Sequence, residues 1–111
     1  MTKKIIIPDK EIVKLQKAIK NLHGCDSKWL ESIPIKEMFK DQVVWEGIVE
    51  VFSIINHPTS QKCYAWFFDD NETGKRKYIT VLHQDPVDSP KNAVRAFIAN
   101  EYKNNQLGRM T

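Results

Sequence analysis

The stretch that decides the fold runs from residue 43 to residue 68 and reads VVWEGIVEVFSIINHPTSQKCYAWFF. Its first ten residues are rich in valine and aromatic side chains. Trp45 has an odd number whereas Glu46 and Glu50 have even numbers, so the tryptophan and the glutamates would lie on opposite faces of a strand. This period of two predicts a β-strand, in which Gly47 indicates a bulge or a close backbone approach. Residues 56–60 have the composition of a turn. Residues 62–68 predict a second strand, which must be antiparallel to the first because the connection is short.

A third strand follows over residues 77–83. It is separated from the second by residues 69–74, which read DDNETG, and Gly74 suits a left-handed turn position. Three strands joined by short turns predict an antiparallel meander, because parallel neighbours would need long crossovers.

A helix is expected before the sheet, over residues 9–22. Asp9 is a suitable N-cap and Gly24 a suitable stop. Spacings of three and four place the apolar residues on one face, and these are Ile12, Leu15, Ile19 and Leu22. Lysines occupy the opposite face, so the helix has one apolar and one basic side.

Residues 27–31 are interpreted as a short second helical turn, capped by Asp26 or Ser27. Pro34 ends it, since the residue before a proline disfavours helix. Residues 35–40 are left as a connector or a short extra turn.

The last helix has the clearest start. Ser89 is the expected N-cap and Pro90 occupies the first helical position, where its missing N–H costs nothing. Its apolar face is formed by Ala93, Val94, Phe97 and Ile98. Residues 104–111 are expected to form a loose, flexible tail.

These elements predict an α+β fold of two layers, with a three-stranded antiparallel β-meander packed on one face by the N- and C-terminal helices. The order is α-(α)-β-β-β-α. A length of 111 residues fits a single domain covering residues 1–111, with an ordered core over about residues 9–103.

Composition excludes several classes of protein. The chain has no apolar run long enough for a signal peptide or a membrane span, and its hydrophobic fraction of 41% is typical of a globular protein. Cys25 and Cys63 are too few for a disulfide framework; we expect two buried thiols, with a single bridge as the alternative. These features predict a cytoplasmic protein without a membrane partner.

Charge is distributed unevenly along the chain, although the net charge is only +3. Residues 1–42 and 89–111 each carry a net charge of +3, whereas residues 43–88, with the predicted strands, carry −3. A polyanion is therefore expected to meet the helices rather than the sheet.

We expect the helices to pack over the small residues Cys63 and Ala65 of the second strand, which leaves its aromatic residues on the outer face of the sheet. Trp45 or Phe52 of the neighbouring strand is expected beside them, since the register is open. This aromatic row, the candidate interface or stacking surface, consists of Trp45, Tyr64, Trp66 and Phe68. Three interpretations remain open. The row is covered by Ile5–Ile7 or by the connector around Met38 and Phe39, it forms a homodimer interface, or it stacks ligands or nucleic-acid bases.

No pattern predicts catalysis or a cofactor. The chain lacks a nucleophile elbow, a phosphate-binding glycine loop and a zinc-protease motif. The spacing of its histidines and two cysteines matches no standard zinc site. We therefore expect a non-enzymatic protein with no catalytic residues, no metal and no cofactor.

Basic residues on the two helices are the candidate polyanion-binding site. They are Lys10, Lys14, Lys17, Lys91 and Arg95. The last two stand in the first turns of the C-terminal helix, and basic residues beside a helix N-terminus can receive a phosphate.

Two resemblances bear on function. The α-β-β-β-α order over residues 9–104, and the His57-Pro58 turn, are similar to the double-stranded-RNA-binding domain; only Lys91 and Arg95 match that family's basic cluster on the last helix. A second similarity rests on VWEG at 44–47, VEVF at 49–52, HP at 57–58, CYAW at 63–66, VL at 81–82 and PVDSP at 86–90. These residues, over about 43–98, resemble a small family of uncharacterised bacterial proteins. The resemblance implies a bacterial cytoplasmic setting and no particular activity.

The sequence thus favours a non-enzymatic binding module that self-associates as a homodimer or docks a protein partner through its sheet. The alternative is a nucleic-acid-binding module that uses the basic helical face. Salt dependence separates the two, because phosphate-driven binding weakens steeply with salt.

Overall fold

A computed structural model describes the backbone of residues 9–109 and the side chains of residues 10–101. Ile5–Ile7, which were expected as one cover for the aromatic row, lie outside the described residues. Two helices and four strands follow one another as α1 (Asp9–His23), β1 (Asp26–Phe39), β2 (Gln42–Ile55), β3 (Lys62–Asp69), β4 (Arg76–Leu82) and α2 (Pro90–Arg109). Within this part of the chain, no helix is long and apolar enough to cross a membrane.

The strands form one antiparallel sheet in the order β1-β2-β3-β4. The predicted α+β class with an antiparallel sheet is confirmed, but the strand number of three is wrong. The additional strand is β1, where a helical turn and a connector were expected. Pro34 does not end a helix; it lies within this edge strand, where a missing N–H is tolerated.

The two helices pack on opposite faces of the sheet, so the prediction that both cover one face is also wrong. Leu15 and Ile19 of α1 are fully buried in a cluster with Phe52 and Cys63. On the other face, α2 packs against the sheet around Trp66, with further members Ala93, Val94, Val49, Val51 and Tyr64. Strand β3 supplies alternate residues to each face, since successive side chains of a strand point to opposite sides.

Helix α1 ends at His23, as its sequence indicates. Gly24 follows it with a φ of 72°, and its N–H donates to the Lys20 carbonyl. Near the other end, the buried Glu11 accepts a hydrogen bond from Arg76 of β4 at 2.9 Å. Leu22 departs from the predicted apolar face and is 64% exposed.

Helix α2 is capped as expected, because the Ser89 hydroxyl accepts a hydrogen bond from the Asn92 N–H at 3.2 Å. Its helical backbone continues to Arg109. The segment that was assigned to a loose tail is therefore helical over residues 104–109. Residues 99–109 contain no proline that would interrupt the helix.

Candidate functional site

The most extended feature of the sheet is the hairpin of β1 and β2, each 14 residues long. Its turn consists of Lys40 and Asp41, whose φ angles of 50° and 63° are both positive. Two consecutive left-handed residues form a tight hairpin turn whose twist matches that of the strands. Phe39 and Gln42 are thereby placed directly opposite each other.

Only part of this hairpin is joined to the rest of the sheet. β1 and β2 pair along almost their whole length, whereas β2 pairs with β3 only over residues 50–53. Residues 34–48 therefore extend beyond the four-stranded region. We call this segment the distal hairpin.

One side of the distal hairpin is covered by α2. The Trp45 ring lies edge-on to that of Trp66 at 5.6 Å, and the Trp66 ring lies 5.5 Å from that of Phe97 on α2. Edge-on aromatic pairs add about 0.5–1.5 kcal/mol each to the stabilisation from buried area. Trp66 is only 1% exposed, so this side of the hairpin belongs to the hydrophobic core.

Gly47 allows the Trp45 ring to approach the backbone on the same side. A Cβ added at position 47 would lie 3.0 Å from the Cη2 atom of Trp45, which is closer than side chains normally pack. The expected close approach is confirmed, and the register shifts of the hairpin fall at other positions.

An ion pair also holds α2 against this side. Arg95 Nε donates to Glu37 Oε1 at 2.6 Å, and Lys91 Nζ lies 3.7 Å from Glu37 Oε2. The hydrogen bond from Arg95 lowers the pKa of the Glu37 carboxyl. Both cations are thus directed at the hairpin rather than at solvent alone.

On the opposite side of the distal hairpin, neither helix packs against the strands within the part of the chain that the structure describes. Alternation from Trp45 along β2 places Val44, Glu46 and Ile48 on this side, and the cross-strand pairs place Pro34, Lys36, Met38 and Val43 there. Val43 and Val44 share this side because the register shifts by one residue between Glu37 and Met38, which leaves Val44 as the extra residue of a bulge. We call this set the open face.

The open face presents a contiguous group of large apolar side chains to solvent. Four of its side chains are between 47% and 52% exposed, namely Met38, Val43, Val44 and Ile48. Contiguous apolar patches on monomers seldom exceed about 300–600 Å² and often mark interaction sites. This surface is therefore the strongest candidate for contact with another protein.

A pair of opposite charges lies at the centre of the open face. Lys36 and Glu46 are directly opposite each other in the ladder, with apolar residues on both sides of them along the hairpin. A shallow depression of about 230 Å³ surrounds this pair, lined by Pro34, Ile35, Lys36, Glu46, Gly47 and Ile48. The surface thus combines apolar area with balanced charge.

The aromatic row predicted from the sequence occupies a different place. Tyr64 and Trp66 are buried beneath α2, and Trp45 packs with them. Phe68 is 37% exposed and its ring lies 6.1 Å from that of Phe97. The placement of this row on a sheet face away from the helices is wrong, because α2 packs against Tyr64 and Trp66.

The predicted polyanion-binding residues fall into two separate groups. Lys10, Lys14 and Lys17 are exposed on α1, whereas Lys91 and Arg95 lie across the sheet on α2 and pair with Glu37. The sheet separates these groups, so they do not form one surface. Only the α1 group remains as a basic face.

Several nucleophilic or titratable side chains have structural partners. The Tyr64 hydroxyl and His83 Nδ1 are hydrogen-bonded at 2.6 Å, and burial raises the pKa of Tyr64. Cys25 and Cys63 are free and buried, and burial raises the pKa of Cys63 to about 12. A thiol with so high a pKa is not an activated nucleophile at neutral pH. No three His, Cys, Asp or Glu side chains cluster as metal ligands among the described residues.

Comparison with known proteins finds no matching family profile, curated protein or solved structure. The function of this chain is therefore inferred from its own residues and contacts.

Sequence reasoning did not identify the open face. Met38 was assigned to a connector, and Ile48 was placed on the strand face that also carries the two glutamates, without a distinction between the two ends of the strand. The missed signal is the alternation over residues 31–37, where Ile33 and Ile35 alternate with Ser32, Pro34 and Lys36. That period of two indicates a strand preceding β2, which would have placed β1 opposite β2.

Proposed function

We propose that this protein is a non-enzymatic interaction module whose open face docks against another protein surface. The observation that carries the proposal is the half-exposed apolar group formed by Met38, Val43, Val44 and Ile48. Leaving such side chains in water forgoes about 25 cal/mol for each Å² of apolar area. A partner that covers them recovers this free energy.

The distal hairpin is also suited to recognition because its backbone is held in place from behind. The Trp45–Trp66–Phe97 contacts anchor it to α2, and Glu37 accepts the Arg95 hydrogen bond near the turn. A surface that is rigid before binding loses less conformational entropy when a partner docks. The open face is therefore presented in a fixed shape.

The chemistry of the open face supports binding rather than catalysis. Its polar side chains are one lysine and one glutamate, and it contains no histidine, cysteine or hydroxyl group. Outside this face, the Tyr64 hydroxyl is hydrogen-bonded to His83, and the Cys63 thiol is buried with a raised pKa.

Site-specific photocrosslinking tests the docking proposal. A benzophenone amino acid at Val44 is expected to crosslink a protein surface in the native cells, whereas the same group at Leu22 is not. Leu22 is a matched control because it is more exposed, at 64%, but lies on α1. Mass spectrometry of the product distinguishes another protein from a second copy. Equal labelling at the two positions, or none at Val44, would contradict the proposal.

A second candidate function is nucleic-acid binding by the basic face of α1. Lys10, Lys14 and Lys17 are exposed, and none of them takes part in the ion pairs among the described residues. Lysines free of carboxylate partners remain able to neutralise phosphates.

Titration of labelled duplex RNA and duplex DNA at two salt concentrations tests this alternative. Binding through three phosphate contacts should weaken with a slope near 2.7 in log–log form, since each contact contributes about 0.9 on B-form DNA. Lys14→Glu should reduce binding, whereas Lys91→Glu, on the other face, should leave it unchanged. Absence of binding at low salt would exclude this function.

A further inference from the structure

We propose that the partner of the open face is a second copy of this chain, related by a two-fold axis. This inference rests on the docking function proposed above and names its partner. Its basis is the charge pattern of the open face, which is complementary to itself.

In a two-fold interface the same surface is used by both copies, so each contact occurs twice. An axis parallel to the strands, between β1 and β2, sets each paired residue of the open face against its own cross-strand partner in the second copy. Lys36 then lies against the second copy's Glu46, because the two are directly opposite in the ladder. Both charges are compensated across the interface.

The same operation matches the apolar positions. Met38 is paired with Val43, and Pro34 with Ile48, so apolar residues meet apolar residues at both ends of the charged pair. An axis across the strands and through the pair would instead set Lys36 against Lys36 and Glu46 against Glu46. Like charges placed together are strongly unfavourable at an interface. The charge pattern therefore selects the first arrangement.

The size of the open face predicts weak association. Its four half-exposed apolar residues supply area on the order of several hundred Å², below the roughly 800 Å² per partner of a standard stable interface. α1 occupies the other end of this side of the sheet, which limits further growth of the contact. We expect a dimer whose population rises with concentration.

Analytical ultracentrifugation across a wide concentration range, up to about millimolar, gives the first test. The wild-type chain should pass from monomer to dimer. Lys36→Glu and Glu46→Lys should each weaken the dimer by at least about tenfold, because each creates two like-charge contacts. A wild-type chain that is monomeric throughout would overturn the inference.

Mixing the two single variants gives the decisive test. In a mixed dimer, the Lys36→Glu copy carries two negative groups and the Glu46→Lys copy two positive groups, so both intermolecular pairs are restored. The mixture should therefore dimerise about as well as the wild-type chain, although each variant alone dimerises at least about tenfold more weakly. The pairing within each chain stays disrupted, so a purely intramolecular role of these residues predicts no recovery.

Lys28→Glu and Glu31→Lys are matched controls. Both residues are exposed on β1, and their partners Ser53 and Val51 place them on the α2 side. These variants should leave dimerisation unchanged. Failure of the mixture to recover would overturn the two-fold arrangement. If the chain is monomeric while the Val44 crosslink yields a different protein, the docking function stands and self-association fails.

Discussion

The two sides of the distal hairpin share one backbone but have different surroundings. On the α2 side, Trp45 packs against a Trp66 side chain that is 1% exposed, whereas Ile48 on the open face is 49% exposed. Both sides contain large apolar residues. The contrast shows that burial is decided by whether a helix covers the strand, because alternation alone provides an apolar residue to either side.

The largest expected effect on stability comes from truncating a residue on the α2 side, with a residue of the open face truncated for comparison. Trp66→Ala should lower the free energy of unfolding by about 3–5 kcal/mol, since it removes a fully buried aromatic ring. Ile48→Ala should lower it by less than about 1 kcal/mol, because half of this side chain already contacts solvent. Urea denaturation, at a protein concentration low enough to favour the monomer, measures both changes in the free energy of unfolding.

If the two variants lost equal amounts of unfolding free energy, the α2 side and the open face would not differ in burial as described. The same samples give a second readout in ultracentrifugation: Ile48→Ala should weaken self-association despite its small effect on stability.

A smaller effect is expected from adding a single methyl group to the covered side. Gly47→Ala should cost about 1–3 kcal/mol, because its Cβ would meet the Trp45 ring and the ring is already packed against Trp66. In a Trp45→Leu background the same substitution should cost much less. A double-mutant cycle with no coupling between positions 45 and 47 would show that the ring does not occupy this space.

The smallest effect concerns the end of the sheet that α1 covers. His23 contacts the Thr80 hydroxyl at 2.8 Å, and burial, followed by the nearby His57, lowers the pKa of His23 below 6.5. The unfolded chain therefore binds this proton at a higher pH than the folded chain. Stability from His23 is complete above pH 6.5 and declines as the pH falls towards the lower folded value.

Comparison of the wild-type chain with His23→Gln at pH 7.5 and pH 5.5 isolates this contribution. The wild type should lose slightly more stability on acidification than the variant, as measured by thermal unfolding. An identical loss in both proteins would mean that His23 titrates normally in the folded state. Neither result should alter the open face. It lies on the same side of the sheet as α1, but at the distal hairpin, beyond the region that α1 covers.

The elements with distinct end signals were predictable from the sequence. Gly24 ends α1, Ser89 caps α2, and the turns around residues 56–60 and 69–74 separate β2, β3 and β4. Each of these signals is local, so no knowledge of the tertiary structure was needed to recognise it.

Strand β1 was missed for two physical reasons. Its turn places Lys40 and Asp41 at positive φ without the Asn-Gly or Asp-Gly sequence that usually marks such a turn. Pro34 also suggested a helix end, although an edge strand tolerates proline. The resulting error removed the partner of β2 and, with it, the hairpin that carries the open face.

Local sequence signals did not indicate which face of the sheet each helix covers. β3 has apolar residues on both sides, with Cys63 and Ala65 towards α1 and Tyr64 and Trp66 towards α2. A strand that is apolar on both sides does not indicate which helix covers which face. The open face also depends on where β2 separates from β3, which is a property of the assembled sheet.

Solvent accessibility of individual methyl groups tests the central claim most directly. In a methyl-labelled sample, at a concentration where ultracentrifugation shows monomer, a soluble nitroxide should strongly broaden the Ile48 and Val44 signals. The Val49 and Val94 signals should remain sharp, because both residues are fully buried. Protection of Ile48 equal to that of Val49 would contradict the existence of an open face.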